Sequence, residues 1–402
     1  MPDVYLLDYV RTPRAKGSAR GSLHHLSPVD LIVLLQRALV GRTGLDPSAV
    51  GDVLVGSASQ VDEQGANLAR TATLLAGWGH GVPGGTLNRF CASGVDAVAQ
   101  TAARIRAGDL ELAVAGGVES VSRVPMFSDR GPLWSDPETV RRIGSIHMGV
   151  AADLNATMDG LRREELDAYA VETHAKAAAA WDRGDNAGSV VPVPRADGTS
   201  FERDELIRPG TTAESLAGLA PAFEELGASG QDEIALAAHP EAGKIAHLHT
   251  VGTSPALADG AALLLLGTEE QAGRFGLRPR ARVLAAATAA VDPVIMLTAG
   301  QDAVEKVIAK AGLRPADIDV FEFAEAFSAL CLRFRRDLSA GPDRLNPGGG
   351  TIAMGHAFGA TGAILVGGCA AELERRGGRY GVAAVSGAAG LGVAVLIERV
   401  DA

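Results

Sequence analysis

The chain repeats itself at a single fixed offset, and no other feature constrains its fold as tightly. Gly44-Leu45-Asp46-Pro47-Ser48-Ala49-Val50 returns 268 residues later as Gly312-Leu313-Arg314-Pro315-Ala316-Asp317-Ile318. The same offset carries Ser93-Gly94 onto Thr361-Gly362, each pair at the head of a helical pattern. Two separate motif pairs sharing one offset indicate a duplication: two homologous α/β halves in which helices alternate with strands. The first repeated helix is read from Val95, Val98, Ala102 and Ile105 on one face, closing at Arg104, Arg106 and Gly108. Its counterpart runs through Ile364, Leu365, Ala371 and Leu373 to Arg376-Gly377. A strand from Leu110 to Ala115 with a turn at Gly116-Gly117 matches a strand from Tyr380 to Val385 with a turn at Ser386-Gly387-Ala388-Ala389-Gly390. A last strand spans Val393 to Ile397. These runs are apolar throughout, as central strands are, and open α/β sheets place ligands at the carboxyl ends of such strands. From Glu119 to His249 the pattern gives way to one amphipathic helix, Glu164 to Trp181, amid Pro-, Gly- and charge-rich stretches. An excursion of that length is expected to form a lid or a ligand wall.

Bulk properties narrow the function. A chain of 402 residues exceeds one ordinary core. A net charge of −11 argues against a nucleic-acid partner. Cys91, Cys331 and Cys369 form neither a disulfide framework nor a zinc pattern. No apolar run approaches a membrane span. The opening Met1-Pro2-Asp3-Val4-Tyr5-Leu6-Leu7-Asp8 reads as a first strand and lacks the regions of a signal peptide. A reducing cytoplasm is the expected setting.

Cys91 stands in Asn88-Arg89-Phe90-Cys91-Ala92-Ser93-Gly94, immediately before the first repeated helix. There a thiol faces unpaired N–H groups and the positive end of the helix dipole, which favour the reactive thiolate. A lone cysteine is more often a small buried apolar residue; the Gly-rich, polar surroundings and a partner in the second half argue for a nucleophile. That partner is His356, within the glycine-dense segment Asn346 to Gly362. No Gly-Lys-Ser/Thr follows these glycines, against a P-loop, and no suitable strand precedes them, against a dinucleotide fold. The offset places His356 three residues before the counterpart of Cys91. Two pseudo-symmetric helices meeting at their N-termini are therefore expected to bring thiol and imidazole together, an arrangement for covalent acyl transfer. In Phe321-Glu322-Phe323-Ala324-Glu325-Ala326-Phe327-Ser328, a strand enters a helix carrying Cys331, and Glu325 is expected to face inward. Cys331 and Cys369 read as core. His247 and His249 alternate as on one strand face and read as surface, with no third ligand nearby and no metal expected.

Taken together, these residues resemble the thiolases (acetyl-CoA acetyltransferases and 3-ketoacyl-CoA thiolases) over essentially the whole chain. Val10-Arg11-Thr12-Pro13, Asn67-Leu68-Ala69-Arg70, Cys91-Ala92-Ser93-Gly94 and Gly116-Gly117-Val118-Glu119-Ser120-Val121-Ser122 carry the resemblance. So do His147-Met148-Gly149, Asp259-Gly260-Ala261-Ala262 and Gly355-His356. The resemblance implies a five-layered αβαβα fold. Its N-terminal half would comprise residues 1–118 and 250–269, its CoA-binding loop domain 119–249, and its C-terminal half 270–402. It implies ping-pong chemistry on acyl-CoA and CoA as substrates, no resident cofactor, and a homodimer or homotetramer. Cys91 would be acylated with help from His356. N–H groups of Cys91 and Ala388 would hold one oxyanion, and His356 would help hold the other. Arg208, Ser215 and Ser254 would contact CoA, while Met148 and Phe327 would line the pantetheine and acyl pocket.

The departures from the family pattern concern the carbon-acid half of the chemistry. Ser386 stands where the family has its second catalytic Cys, Ala324 replaces an Asn or His, Ala357 replaces a Pro, and Pro255 stands where many members have a CoA-contacting Ser. A hydroxyl is a far weaker acid than a thiol, so Ser386 is no comparable base without an activator. Ala326 occupies the place to which another branch moves that Cys. Three readings follow. The first is a thiolase whose proton is moved by another group, with Glu325, water or a loop-domain residue as candidates. The second is an enzyme that acylates Cys91 but passes the acyl group elsewhere, for example to water. The third is a non-catalytic CoA-binding subunit. The intact Cys91 and His356 disfavour the third, and the resemblance to the family favours the first.

Overall fold

The computed structural model describes residues 1–400, so the last two residues of the expected C-terminal half lie outside the described residues. The repeat is visible at once in the strands. In the first half they are β1 (Tyr5–Arg11), β2 (Asp52–Gly56), β3 (Gly85–Leu87), β4 (Leu112–Ser120) and β5 (Ala258–Gly267). In the second they are β6 (Ala281–Ala290), β7 (Val320–Phe323), β8 (Tyr380–Gly387) and β9 (Leu391–Arg399). One mixed sheet runs in the order β7-β8-β9-β6-β1-β5-β4-β2-β3. Outward from the centre, β1-β5-β4-β2-β3 is mirrored by β6-β9-β8-β7, and a parallel bridge from Phe321 to Leu345 stands where β3 stands in the first half. The halves join edge to edge through only two residue pairs, Tyr5 with Arg282 and Leu6 with Ala281.

The helices give the layers. α1 (Pro28–Thr43) and α2 (Leu68–Leu75) cover the outer face of the first half. α3 (Ser93–Ala107) lies between the halves. α4 (Met148–Met158) and α5 (Arg163–Asp182) belong to the excursion between β4 and β5. α6 (Ala299–Lys310) covers the outer face of the second half, α7 (Ser328–Leu338) packs on α4 and α5, and α8 (Phe358–Arg376) lies beside α3 in the middle. The order helix, sheet, helix pair, sheet, helix is the five-layered arrangement expected.

The repeated Gly-Leu-x-Pro is a helix stop followed by a turn. Gly44 and Gly312 adopt φ of 64° and 71°, which ends a helix without a Cβ clash. Pro47–Ala49 and Pro315–Asp317 then form matching 3-10 turns. α1 itself starts at a capping box between Ser27 and Asp30 with Pro28 in the first turn.

In the middle layer α3 and α8 meet at their N-terminal ends. A Cβ on Gly94 would collide with Gly359 O, and one on Gly362 with Val95 N. Only glycine permits this approach. Val95, Val98 and Ile105 are fully buried against Ala360, Ala363 and the facing strands. Each such large aliphatic side chain contributes about 1.5–3 kcal/mol.

Two local expectations are corrected. Gly116-Gly117 is no turn: both lie inside β4, where bare backbone lets Ala262 O and Gly359 O approach. His247 and His249 lie in irregular chain and are not surface. His249 is fully buried, and both rings bond the Asp153 carboxylate, at 2.9 and 2.7 Å.

Candidate active site

β3 delivers the chain into Asn88–Ala92, a loop stapled by its own side chains. Asn88 Oδ1 accepts from Phe90 N (2.7 Å), and Asn88 Nδ2 donates to Ala58 O (2.9 Å). Ser93 Oγ accepts from Arg89 N (2.8 Å) and donates to Phe90 O (2.6 Å). Phe90 takes φ of 51°, a left-handed conformation uncommon for an aromatic residue. Cys91 is thereby held half-buried on a narrow cleft. Phe90, Met126, Phe127, Trp134, Met148 and Phe358 form the apolar walls.

The turn after β8 closes the other side. Ala388 lines the same cleft. A Cβ on Gly387 would come within 3.2 Å of Arg89 O, so this turn packs directly on the Cys91 loop. Ala389, next in the chain, adopts φ of 56°. Glu119 at the end of β4 ties the two halves behind the cleft. Its fully buried carboxylate accepts from Ala58 N (2.8 Å), Ser59 N (3.2 Å), Gln64 Nε2 (2.6 Å) and Gly359 N (2.9 Å).

His356 precedes α8. Its backbone is pinned to the strap before β5: His356 N donates to Ala256 O (2.9 Å), and Ala258 N donates to His356 O (3.2 Å). The imidazole Nδ1 pairs with Thr361 Oγ1 at 2.8 Å, and the ring meets Phe358 edge-on at 5.2 Å. Cys91 and His356 thus sit at adjoining helix heads, and Phe358, which meets the imidazole, also lines the cleft. No hydrogen bond joins Cys91 Sγ to the imidazole among the described residues.

The protonation states differ from the expectation of a dipole-stabilised thiolate. Burial, then the nearby Glu119 charge, pushes the Cys91 thiol up to about 12. The sulfur is enclosed by protein even though the residue opens partly on the cleft. Burial, then the Arg14 guanidinium, pushes His356 down to about 4. At neutral pH the pair rests as thiol and neutral imidazole, so the thiol needs a base and the imidazole is free to be one.

The remaining expected residues divide. Met148, at the head of α4, lines the cleft. Arg208 and Ser254 share a second pocket with His174, Thr211, Ile352 and Ala256, the residue whose carbonyl accepts from His356 N. Ser215 is not in it: its hydroxyl is spent in a capping box with Thr212 at an exposed turn. Phe327 is not on the Cys91 cleft either; it packs between Phe223 and His249, at 5.7 and 5.3 Å. Ser386 Oγ donates to Leu297 O (2.7 Å) and accepts from Gly300 N (3.0 Å), which withdraws it from the cleft. Glu325 does face inward, but as a brace. Its carboxylate accepts from Tyr169 Oη (2.8 Å), Thr173 Oγ1 (2.9 Å), Asn346 Nδ2 (3.2 Å) and Ile352 N (2.9 Å). With its lone pairs taken and no place on the cleft, it has no route to a substrate proton.

Sequence reasoning missed the segment from Met126 to Trp134, which supplies much of the cleft wall. Phe127, Trp134, Met148 and Ala388 also line a wider adjoining pocket of about 370 Å³, which reaches Arg130, Ser145, Gln231 and Met296. An aromatic pair in an otherwise polar loop was the available signal.

Comparison with known proteins agrees with this geometry. Residues 4–270 match the thiolase N-terminal domain family and residues 277–399 the thiolase C-terminal domain family. A 3-ketoacyl-CoA thiolase of Klebsiella pneumoniae is 38% identical over 412 residues, covering 100% of both chains. A beta-ketoadipyl-CoA thiolase of Escherichia coli is 36% identical over 423 residues with the same coverage. The crystal structure of the Bacillus anthracis acetyl-CoA acetyltransferase superposes with a TM-score of 0.85 at 32% identity, covering 100% of this chain and 99% of that one. With both halves matched and relatives aligned from end to end, the chain belongs to the thiolase family and is an acyl-CoA acyltransferase.

Proposed function

We propose that Cys91 is acylated by a 3-ketoacyl-CoA or acyl-CoA thioester and passes the acyl group to CoA in thiolysis, or to a second acyl-CoA in Claisen condensation. The observation that carries this reading is the placement of Cys91 and Ala388, from opposite halves, on one apolar cleft. In it His356 takes the proton of the attacking thiol. This role takes the tautomer in which Nδ1 carries the proton and donates it to Thr361 Oγ1, 2.8 Å away, leaving the Nε2 lone pair for the task. The N–H groups of Cys91 and Ala388 hold the oxyanion. Arg208 and Ser254 contact CoA from the pocket they share with Ala256.

The wider adjoining pocket takes the acyl chain. Among the described residues Arg130 is the only Arg or Lys on its wall, and its guanidinium has no ion pair there. Acyl chains ending in a carboxylate therefore belong to the substrate range. The unit is proposed as a homodimer or homotetramer. Leu74 and Leu75 are exposed at the end of α2, which packs beside β3, the terminal strand of the sheet. A cytoplasmic setting is part of the same proposal; no helix among the described residues is long and apolar enough to cross a membrane.

Intact-mass measurement after mixing with acetyl-CoA tests the reading, alongside thiolysis of acetoacetyl-CoA. An acetyl adduct on Cys91 and measurable thiolysis are expected. The engaged Ser386 hydroxyl favours one alternative, acyl transfer to another acceptor; an adduct without thiolysis would establish it. No adduct would leave a CoA-binding subunit.

A further inference from the structure

Carbon–carbon chemistry requires more than a nucleophile, because a proton must leave or reach the α-carbon of the second thioester. The groups expected to move it are elsewhere. Ser386 is bonded to Leu297 and Gly300, and Glu325 is saturated by four donors. Cys331 and Cys369 are fully buried and off the cleft.

One acidic side chain does line the cleft with Cys91, and it is Asp129. Its Oδ1 accepts from Trp134 Nε1 at 3.0 Å and from Gly131 N at 3.4 Å. Oδ2 has no hydrogen bond or ion pair among the described residues. The indole that fixes Asp129 packs edge-on against Phe90 at 5.7 Å, and Phe90 precedes the nucleophile. It also packs on Phe127 at 5.1 Å. The carboxylate is thus referenced to the Cys91 loop through a chain of rigid rings. On either side of it, Phe127 and Arg130 adopt φ of 70° and 50°. Non-glycine residues in this region cost free energy and persist where the surroundings impose them, often at functional sites.

We propose that Asp129 is the catalytic base of the carbon-acid half-reaction, taking the α-proton through Oδ2; this rests on the thiolase reading above. In condensation the α C–H bond breaks, its proton goes to Oδ2, and its electron pair moves into the thioester as an enolate. The enolate carbon attacks the acyl carbonyl on Cys91, the new C–C bond forms, and the C–Sγ bond breaks. Cys91 leaves as thiolate and recovers, by way of His356, the proton that Asp129 holds, which restores all three groups. Thiolysis runs the same transfers backwards: the Cys91 proton passes to His356, from there to Asp129, and then to the departing α-carbon. A carboxylate suffices for a proton α to a carbonyl when preorganised donors hold the enolate.

The test is Asp129→Asn in the full chain, which keeps the shape and the Trp134 bond but cannot accept a proton, with Asp129→Glu beside it. Three rates are followed: acetylation of Cys91 by intact mass, deuterium entry at the acetyl-CoA methyl in D₂O by NMR, and thiolysis of acetoacetyl-CoA. Asp129→Asn is expected to acetylate within threefold of wild type while deuterium entry and thiolysis fall about 100-fold or more. Asp129→Glu is expected to recover part of both. Exchange and thiolysis within threefold of wild type in Asp129→Asn would overturn the assignment and leave the thiolase reading standing. So would a parallel loss of acetylation, which marks a merely structural role. A wild-type protein that acetylates but neither exchanges nor thiolyses would overturn both.

Discussion

The Ser386 hydroxyl donates to Leu297 O at 2.7 Å, and this bond decides what the residue does. With Gly300 N as its second partner, it joins the end of β8 to the start of α6, inside the second half. Ser386→Ala leaves a buried carbonyl and N–H unpaired, which is expected to cost about 1–3 kcal/mol. Urea denaturation measures the cost, and Cys91 acetylation is expected to be unchanged. Ser386→Cys puts sulfur in the same niche, so thiolysis is expected to stay within threefold of wild type. A tenfold rise would show that a thiol at this position reaches the cleft.

Glu325 joins the inserted segment to the second half, because Tyr169 and Thr173 lie on α5 whereas Asn346 and Ile352 lie just before α8. Glu325→Ala orphans four donors at once. A loss of about 3 kcal/mol or more is expected, read as a fall in the urea midpoint, with the acetylation rate of the folded fraction preserved. A variant of full stability that no longer supports turnover would instead make Glu325 part of the chemistry.

The global architecture was legible because duplication leaves a one-dimensional trace. The offset of 268 relates β2 to β7, β4 to β8 and α3 to α8 as it relates the two Gly-Leu-x-Pro stops. What stayed hidden depends on neighbours remote in the chain. Gly116-Gly117 looks like a turn until α8 is seen to cross there. The helix-dipole argument for Cys91 is local, whereas the burial and the Glu119 charge that oppose it come from the fold. Ser386 and Glu325 were singled out by residue type, but whether a hydroxyl or carboxylate is free depends on what surrounds it. Asp129 carries no motif at all; only the ring contacts of Trp134 bring it to the cleft.

Arg130 predicts a preference between substrates of equal length. A 3-oxoacyl-CoA ending in a carboxylate, such as 3-oxoadipyl-CoA, is expected to exceed 3-oxohexanoyl-CoA in kcat/KM. Arg130→Ala is expected to shift that ratio about tenfold toward the neutral chain, since the charge is exposed and partly screened by water. A ratio unchanged by the substitution would remove Arg130 from the acyl pocket.

The resting protonation states predict how Cys91 reactivity and stability respond to pH. With the thiol up at about 12, alkylation by iodoacetamide is expected to rise roughly tenfold per pH unit between 7 and 10 without a plateau. A low-pKa ion pair with His356 would give a flat profile instead. His356 is held down at about 4 against roughly 6.5 in the unfolded chain, so unfolded protein binds a proton first as pH falls. Its neutral burial therefore favours the fold above about 6.5, and that contribution is lost progressively as pH drops toward 4. His174, buried near Arg208 and also pushed down to about 4, acts in the same sense. Urea midpoints are expected to fall steadily from pH 7 to pH 4.5, and His356→Asn is expected to flatten the slope. A slope of the same steepness in that variant would show that His356 is not held neutral by its burial.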